Sequence, residues 1–366
     1  MSMDRRDVLR LAAAAPAALA AAAMTQHARG AEDVVTTTQL GVGSASYGAL
    51  LRRKATGGNL DLRDPAAFLE YCRVRGAGGI QIGLGAGDAR RAEHLRERAE
   101  QVGMFVEGSI RLPADADDVK RFDEEVRFAK ACGATVLRTV MLSGRRYETF
   151  STAEEFRRFR DASRIRLRLA APVVARHEVR LAVENHKDFR AEGLAELMRQ
   201  FDSPHVGVCV DTGNNLALLD DPYEAVEILA PWAASAHLKD MAVEEYEQGF
   251  LLSEVPLGRG MLDLSRMLVA LRRANPKLQF SLEMITRDPL EIPCLTDRYW
   301  ATFEELPARQ LARMLTLVRA NKPKDPLPRV ADLSPDERIE AEDSNVRRSL
   351  AYAAKQLDLV APIAKQ

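Results

Sequence analysis

The chain has 366 residues, of which 52 are basic, 53 are acidic and 46% are hydrophobic. This length is enough for one α/β barrel with insertions. The charges are spread along the chain with no basic stripe, which argues against a nucleic-acid partner. The four cysteines lie far apart without a CxxC pair, so we expect buried free thiols.

The N-terminus is typical of an export signal. The pair Arg5-Arg6 precedes an Ala-rich apolar run over residues 11–24, and Ala28-Arg29-Gly30 follows as a small-residue cleavage region. The run is too short and too weakly apolar for a typical spanning helix, and Pro16 would interrupt a structural one. The alternatives are an N-terminal helix with two incidental arginines, and an anchor that is retained if cleavage fails. The sequence predicts a twin-arginine signal peptide over residues 1–31, the twin-arginine translocase as a partner, and a periplasmic or exported protein.

From residue 37 onward, short apolar strands alternate with helices. Asp64 before Pro65 is predicted to cap the first of these helices. The predicted strands are 39–43, 78–83, 104–108, 135–140, 181–183, 206–210, 234–238 and 279–283. The predicted helices are 64–75, 88–102, 117–132, 152–177, 191–200, 221–231, 263–274 and 306–320.

This alternation implies parallel strands joined by right-handed crossovers, and eight strands suggest closure into a barrel. The predicted fold class is therefore α/β, a (β/α)8 TIM barrel over residues 37–322 that forms the catalytic domain. An open doubly wound sheet is the alternative. The glycines of Gly83-Leu84-Gly85-Ala86-Gly87 have the wrong spacing for a dinucleotide-binding loop and fit a tight turn.

Two insertions follow the seventh and eighth strands, over residues 241–262 and 286–305. Long loops at the functional end of a barrel usually cover or shape the site. Three prolines after Lys322 mark a linker, and residues 336–357 have the pattern of one more helix. We expect residues 323–366 to form this linker and C-terminal helical extension, packed on the barrel or on a second subunit of a homo-oligomer.

Four polar residues close four consecutive predicted strands: Glu184, Asp211, His237 and Glu283. The first two gaps, of 27 and 26 residues, each hold one helix and one strand, as a barrel unit requires. Because adjacent strands lie about 4.8 Å apart, the four side chains can converge on one ion. Three carboxylates and one imidazole suit Mn²⁺, Mg²⁺, Co²⁺ or Zn²⁺.

Each of these residues taken alone has a structural interpretation. A lone Glu184 is typical of a salt-bridged strand end, and Asp211 is suited to cap the Asp-Thr-Gly turn that it begins. His237 alone is typical of a buried, hydrogen-bonded histidine. The four together at barrel spacing favour metal ligation, and Asp211 can serve both roles.

At these motifs the chain resembles the xylose-isomerase-like sugar phosphate isomerase/epimerase superfamily, and its layout is similar to the D-tagatose 3-epimerase type. Glu184, Asp211-Thr212-Gly213-Asn214, His237-Leu238-Lys239-Asp240 and Glu283 match that family's ligand order. The resemblance covers roughly residues 37–322. It implies that Glu184, Asp211, His237 and Glu283 bind one divalent metal, and that Glu184 and Glu283 are also catalytic acid/base groups at adjacent substrate carbons.

The chain departs from that pattern at Asn214, where many relatives have a histidine that touches substrate or metal. His186 is a candidate for a compensating imidazole. It lies two residues after Glu184, and residues two apart in a strand point to the same face. Lys239 and Arg259 are candidates for holding substrate hydroxyls or a carboxylate. We therefore predict four substrate-binding residues: His186, Asn214, Lys239 and Arg259.

The predicted activity is an exported, metal-dependent sugar isomerase or epimerase. A divalent ion stabilises the enediolate charge that develops when a proton leaves a carbon next to a carbonyl, and carboxylates move that proton. Export favours an unphosphorylated small sugar as substrate. A lyase or hydrolase of 3-keto-glycosides is an alternative that shares the first step, and a non-catalytic periplasmic sugar-binding barrel is another. A DNA-repair nuclease is a distant third, because it needs several metals and more histidines.

Overall fold

The computed structural model describes residues 37–53, 61–303 and 306–360. The predicted signal peptide, residues 1–31, lies outside the described residues, and so do residues 361–366 of the predicted C-terminal region. No helix in the described part of the chain is both long enough and apolar enough to cross a membrane.

The core of the fold is a barrel of parallel strands. The strands in chain order are β1 (Gly41–Gly43), β2 (Gly79–Gly83), β3 (Phe105–Ser109), β4 (Val136–Thr139), β5 (Arg180–Glu184), β6 (Val206–Asp211), β7 (Ala233–Leu238), β8 (Asp240–Tyr246), β9 (Gly249–Val255), β10 (Phe280–Leu282) and β11 (Leu290–Ile292). The barrel closes in the order β1-β10-β7-β6-β5-β4-β3-β2. The TIM-barrel prediction is therefore confirmed, and each of the eight predicted strands lies within two residues of an observed one.

The helices surround this barrel. They are α1 (Gly48–Arg52), α2 (Pro65–Arg73), α3 (Ala89–Val102), α4 (Val119–Ala131), α5 (Arg146–Thr149), α6 (Ala153–Arg176), α7 (Ala191–Phe201), α8 (Pro222–Leu229), α9 (Leu264–Ala274), α10 (Asp297–Trp300), α11 (Ala308–Ala320) and α12 (Pro335–Gln356). As predicted, Asp64 caps α2 and accepts hydrogen bonds from the backbone of Ala66 and Ala67. The short helices α1, α5 and α10 were not predicted. All four cysteines are free and buried, as expected.

A small antiparallel sheet lies outside the barrel. Strands β8 and β9 form a hairpin, and β11 pairs with β9 along its other edge. The sequence predicts loops over 241–262 and 286–305, and this prediction is wrong where these strands lie. The hairpin turn at Glu247-Gln248 lacks the Asn-Gly or Asp-Gly signal that marks a two-residue hairpin in a sequence.

The chain returns from β9 to the barrel through a loop held by one carboxylate. Asp240 accepts hydrogen bonds of 2.9 Å from the backbone N–H groups of Gly258 and Gly260, and one of 3.1 Å from that of Leu262. At Gly260 a Cβ atom would lie 2.2 Å from the Asp240 Oδ1 atom. The close approach of backbone to carboxylate therefore requires glycine at this position.

The C-terminal helix α12 packs on the barrel of its own chain. Glu342 accepts hydrogen bonds from the backbone N–H groups of Ala49 and Leu50 in α1, at 2.6 and 3.0 Å. The Asn345 Nδ2 atom donates to the Thr286 hydroxyl at 3.0 Å. The helix therefore lies against the segments that follow β1 and β10, at the end of the barrel where the predicted ligands lie.

Candidate metal centre

The four predicted ligands converge at the C-terminal ends of neighbouring strands. Glu184 and Asp211 are the last residues of β5 and β6, His237 lies near the end of β7, and Glu283 directly follows β10. Asp211 and His237 are direct partners in the strand register. Their ligand atoms all lie within 4.8 Å of one another, and each residue is at most 5% exposed.

Two atoms of this cluster lack the partner that a buried polar atom requires. Within the described part of the chain, His237 Nδ1 and Asp211 Oδ2 are buried and make no hydrogen bond, although Lys239 Nζ lies 3.1 Å from Asp211 Oδ2 as an ion pair. His237 Nδ1 lies 3.5 Å from Glu184 Oε2 and 3.7 Å from both Asp211 Oδ2 and Glu283 Oε2. A divalent cation would satisfy these atoms together, so the residues present fit a hard metal ion.

The orientation of His237 is set from across the barrel. Its Nε2 atom lies 2.8 Å from the Gln81 Oε1 atom on β2, so Nε2 donates to Gln81 and the Nδ1 atom faces the carboxylates. Burial opposes charging of the imidazole, but Cys209, Glu283 and Glu184 raise the pKa of His237 well above its ordinary value. The ring of carboxylates therefore attracts positive charge to this point.

Asp211 caps the turn that its sequence context predicts, and one of its oxygens faces the cluster. Its Oδ1 atom accepts hydrogen bonds from the backbone of Gly213 at 2.9 Å and Asn214 at 2.8 Å, which closes the Asp-Thr-Gly turn. The Asn185 side chain accepts a bond of 2.7 Å from the Asp211 backbone. Burial opposes ionisation here, but the charge of Lys239 outweighs it and lowers the pKa of Asp211 to about 2. The Oδ2 atom is left for ligation.

Both oxygens of Glu184 accept hydrogen bonds. Arg138 on β4 donates from Nε to Oε2 at 2.6 Å, and Asn214 donates from Nδ2 to Oε1 at 2.9 Å. The Asn214 Oδ1 atom in turn accepts from Lys239 Nζ at 3.0 Å and from Lys187 Nζ. Asn214, a predicted substrate contact, therefore joins Glu184 to two buried lysines. Arg138 and Lys187 were not predicted as site residues, although an arginine inside the apolar strand β4 was a visible signal.

Lys239 lies inside the cluster, as predicted for a site residue. Its Nζ atom is 2.6 Å from Glu283 Oε2, and the residue is 1% exposed. Glu254 on β9 lies 3.9 Å from the same ammonium group and accepts a hydrogen bond of 3.1 Å from Arg287 Nε. Glu254 and Arg287 were not predicted as site residues, because they come from the additional sheet and from the segment after β10.

The other two predicted substrate contacts are placed differently. His186 lies beyond the end of β5, and its backbone N–H donates to the Glu184 carbonyl at 2.9 Å, so the two-residue alternation used to orient it does not apply. Burial, with help from Lys187, lowers the pKa of His186 to about 4, and its buried Nδ1 atom makes no hydrogen bond with the described residues. Arg259 is exposed on the loop after β9. Substrate contact by either residue stays a prediction.

Comparisons with known proteins agree on the fold. The family described as xylose isomerase-like TIM barrel matches residues 74–316. The 3-oxo-isoapionate decarboxylase of Pectobacterium atrosepticum is 29% identical over 204 residues, which is 54% of this chain and 69% of that protein.

Two solved structures are similar in fold. A xylose isomerase-like TIM barrel protein from Mycobacterium smegmatis in complex with magnesium has a TM-score of 0.53 at 16% identity, over 77% of this chain and 98% of that one. An L-ribulose 3-epimerase has a TM-score of 0.51 at 16% identity, over 87% and 98%.

Proposed function

The chain belongs to the xylose isomerase-like TIM barrel family, and from that premise we propose that it is a divalent-metal-dependent enzyme acting on a sugar or sugar-derived substrate. The reaction that we propose is isomerisation or epimerisation by removal of a proton next to a carbonyl. The observation that carries this proposal is the convergence of Glu184, Asp211, His237 and Glu283, with two buried ligand atoms that make no hydrogen bond. The proposed ion is Mn²⁺, Mg²⁺, Co²⁺ or Zn²⁺.

A divalent ion in this site would stabilise the negative charge that develops on substrate oxygens. The protein would supply the proton carrier. Glu283 has one oxygen 2.6 Å from Lys239, and its other oxygen accepts no hydrogen bond from the described residues. Both oxygens of Glu184 are occupied by Arg138 and Asn214. We therefore assign removal of the substrate proton to Glu283. In an isomerisation Glu283 returns that proton to the neighbouring carbon, and in an epimerisation Glu184, protonated from solvent beforehand, delivers a different proton to the opposite face.

A decarboxylase or lyase is the second candidate. It is favoured by the similarity to 3-oxo-isoapionate decarboxylase, whose sequence identity to this chain, 29%, exceeds that of the two solved structures described above. Loss of CO₂ from a 3-oxo acid leaves an electron pair next to a carbonyl, as proton removal does. Elimination from a 3-keto-glycoside begins with the same proton removal. The same cation site would therefore stabilise the charge in each reaction.

The test is proton exchange measured by NMR in D₂O, with ketoses, keto-glycosides and 3-oxo acids as substrates. The protein is stripped with a chelator and reloaded with each of the four metals, and its metal content is measured. We expect exchange of the proton next to the carbonyl, or loss of CO₂, only in the loaded protein, and neither in His237→Ala. A protein that turns over equally well without metal would contradict the proposal. Tight sugar binding without exchange would favour the non-catalytic alternative.

We also propose that the protein is exported, on the strength of residues 1–31 alone. The double variant Arg5→Lys, Arg6→Lys should remain in the cytoplasm of a producing bacterium, because the paired arginines are the signal that the translocase recognises. Cell fractionation with the unaltered chain as control measures this. Equal export of both chains would contradict it.

A further inference from the structure

Lys187 is a buried ammonium group without an acidic partner. The residue is 2% exposed, and among the described residues its Nζ atom makes no ion pair. Its side-chain hydrogen bond goes to the neutral amide oxygen of Asn214. Lys239, by contrast, contacts Asp211, Glu254 and Glu283. Because an unpaired buried charge is costly, such a group in a reaction site indicates an anion that arrives with the ligand.

The position of Lys187 is fixed next to the proposed metal. Its backbone carbonyl accepts a hydrogen bond of 2.8 Å from the N–H group of Arg146, which holds the chain after β5 against the chain after β4. Its ammonium group shares the Asn214 oxygen with Lys239, and Asn214 also binds Glu184. One amide side chain therefore separates the ammonium group of Lys187 from a metal ligand.

The charges of the site point the same way. Four cationic side chains face four carboxylates, and these eight residues are Arg138, Lys187, Lys239, Arg287, Glu184, Asp211, Glu254 and Glu283. A divalent ion adds two positive charges to this balanced set, with His237 ligating as a neutral imidazole. Transfer of the substrate proton to Glu283 moves a charge within the site and leaves its total unchanged. The excess of positive charge therefore favours an anionic substrate. The predicted export of the protein favours an unphosphorylated substrate, and hence a carboxylate over a phosphate.

The ammonium form of Lys187 persists at neutral pH in spite of its burial. Burial and Lys239 lower the pKa of Lys187 to about 8, so this group still carries its charge at pH 7.

We infer that the substrate carries a carboxylate and that the ammonium group of Lys187 binds it, so the substrate class is an oxo sugar acid and not a neutral ketose. The inference rests on the proposed function, because it takes the reacting carbonyl to lie at the metal. The competing explanation is that Lys187 only orients Asn214.

The experiment is calorimetric binding to the metal-loaded full chain. Two keto acids are each paired with the ketose that has a hydroxymethyl group in place of the carboxylate: 2-keto-D-gluconate with D-fructose, and 5-keto-D-gluconate with L-sorbose. D-Fructose 6-phosphate tests a phosphate. The unaltered protein should bind at least one keto acid about tenfold or more tighter than its ketose.

The variant Lys187→Met should bind the keto acids about 10- to 100-fold more weakly, which is the effect of removing one charged hydrogen bond, and should bind the ketoses within about twofold of the unaltered protein. Lys187→Arg should restore most of the preference. Lys277→Met is the matched control, because Lys277 is exposed before β10 at the opposite end of the barrel.

Three outcomes would overturn the inference: no preference for either keto acid, an equal loss for acid and ketose in Lys187→Met, or tighter binding of the phosphate. The first would refute the charge argument, and the second would assign Lys187 to positioning Asn214. Metal content and proton exchange are measured on the same samples. Bound metal with exchange but no preference for acids would refute only the substrate class, whereas absence of bound metal would refute the proposed function.

Discussion

Replacing Asp211 with asparagine separates metal ligation from turn formation. The asparagine oxygen can still accept the backbone bonds from Gly213 and Asn214, so the turn is kept. The Oδ2 atom is replaced by an NH₂ group, which cannot bind a cation. In the unaltered protein Oδ2 lies 3.1 Å from the Lys239 Nζ atom, so the NH₂ group would face that ammonium group. We expect the variant to fold and to lose most of its affinity for metal.

The magnitude follows from linkage between binding and folding. At a metal concentration of 100 times the Kd, the unaltered protein should gain about 2.7 kcal/mol of stability. For a domain of this size that gain corresponds to a rise in Tm of roughly 4 °C. Loss of an outer-shell partner weakens metal binding by about 10–100-fold, and loss of a ligand should cost at least the larger value. The gain of the Asp211→Asn variant at the same concentration should then fall to about 0.4 kcal/mol or less.

The assay is thermal unfolding with and without Mn²⁺, each against a chelator blank, together with metal content by elemental analysis. Asp240→Asn is the matched control. Asp240 is as buried as Asp211, but it accepts hydrogen bonds from four backbone N–H groups and is not part of the proposed metal cluster. That control should lower the basal Tm and keep the full rise with metal. A full rise in Asp211→Asn, or none in the unaltered protein, would refute the ligand assignment.

Three further outcomes are expected. Glu283→Gln should slow proton exchange in D₂O by about 10²–10⁴-fold, because its amide cannot take a proton; an unchanged rate would contradict the assignment. Burial raises the pKa of Asp188 to about 7, so the stability that this carboxyl contributes is present below about pH 4 and is lost as the pH rises to 7. In the Asp188→Asn variant the free energy of unfolding should not show this loss, which is on the order of 4 kcal/mol. The measurement is unfolding at several pH values in the presence of a chelator, and an unchanged pH profile would refute the prediction. Glu342→Ala should destabilise the protein by about 1–3 kcal/mol, because the α1 N–H groups of Ala49 and Leu50 lose their acceptor, and a Tm equal to that of the unaltered protein would contradict it.

The barrel and the convergence of the four polar residues at its strand ends could be predicted because each depends on local sequence. Buried parallel strands are short apolar runs, and a polar residue at the end of such a run faces the functional end of the barrel. The start of helix α2 was marked by the predicted cap Asp64, whose side chain accepts backbone hydrogen bonds. The spacing of one helix and one strand then placed Glu184 and Asp211 on adjacent strands.

The partners of the ligands could not be predicted, because they depend on distances across the barrel and not on spacing along the chain. Gln81 binds His237 from the opposite side of the lumen, 156 residues away in the sequence. Glu254 belongs to a hairpin whose turn lacks the usual residues. Arg138 and Gln81 were visible as polar residues within apolar strands, and this signal was available without the structure.

These partners matter because an imidazole and three carboxylates do not hold together without compensation. Like charges within 4.8 Å repel strongly in a buried site, and the cations Arg138 and Lys239 offset that repulsion before any metal is bound. Lys187 is the exception, since its charge offsets no carboxylate directly. In the proposed function the four ligands determine that an ion binds, whereas the uncompensated ammonium group of Lys187 determines which class of substrate meets that ion. A change of substrate class should therefore follow from substitution at Lys187 while the four ligands stay as they are.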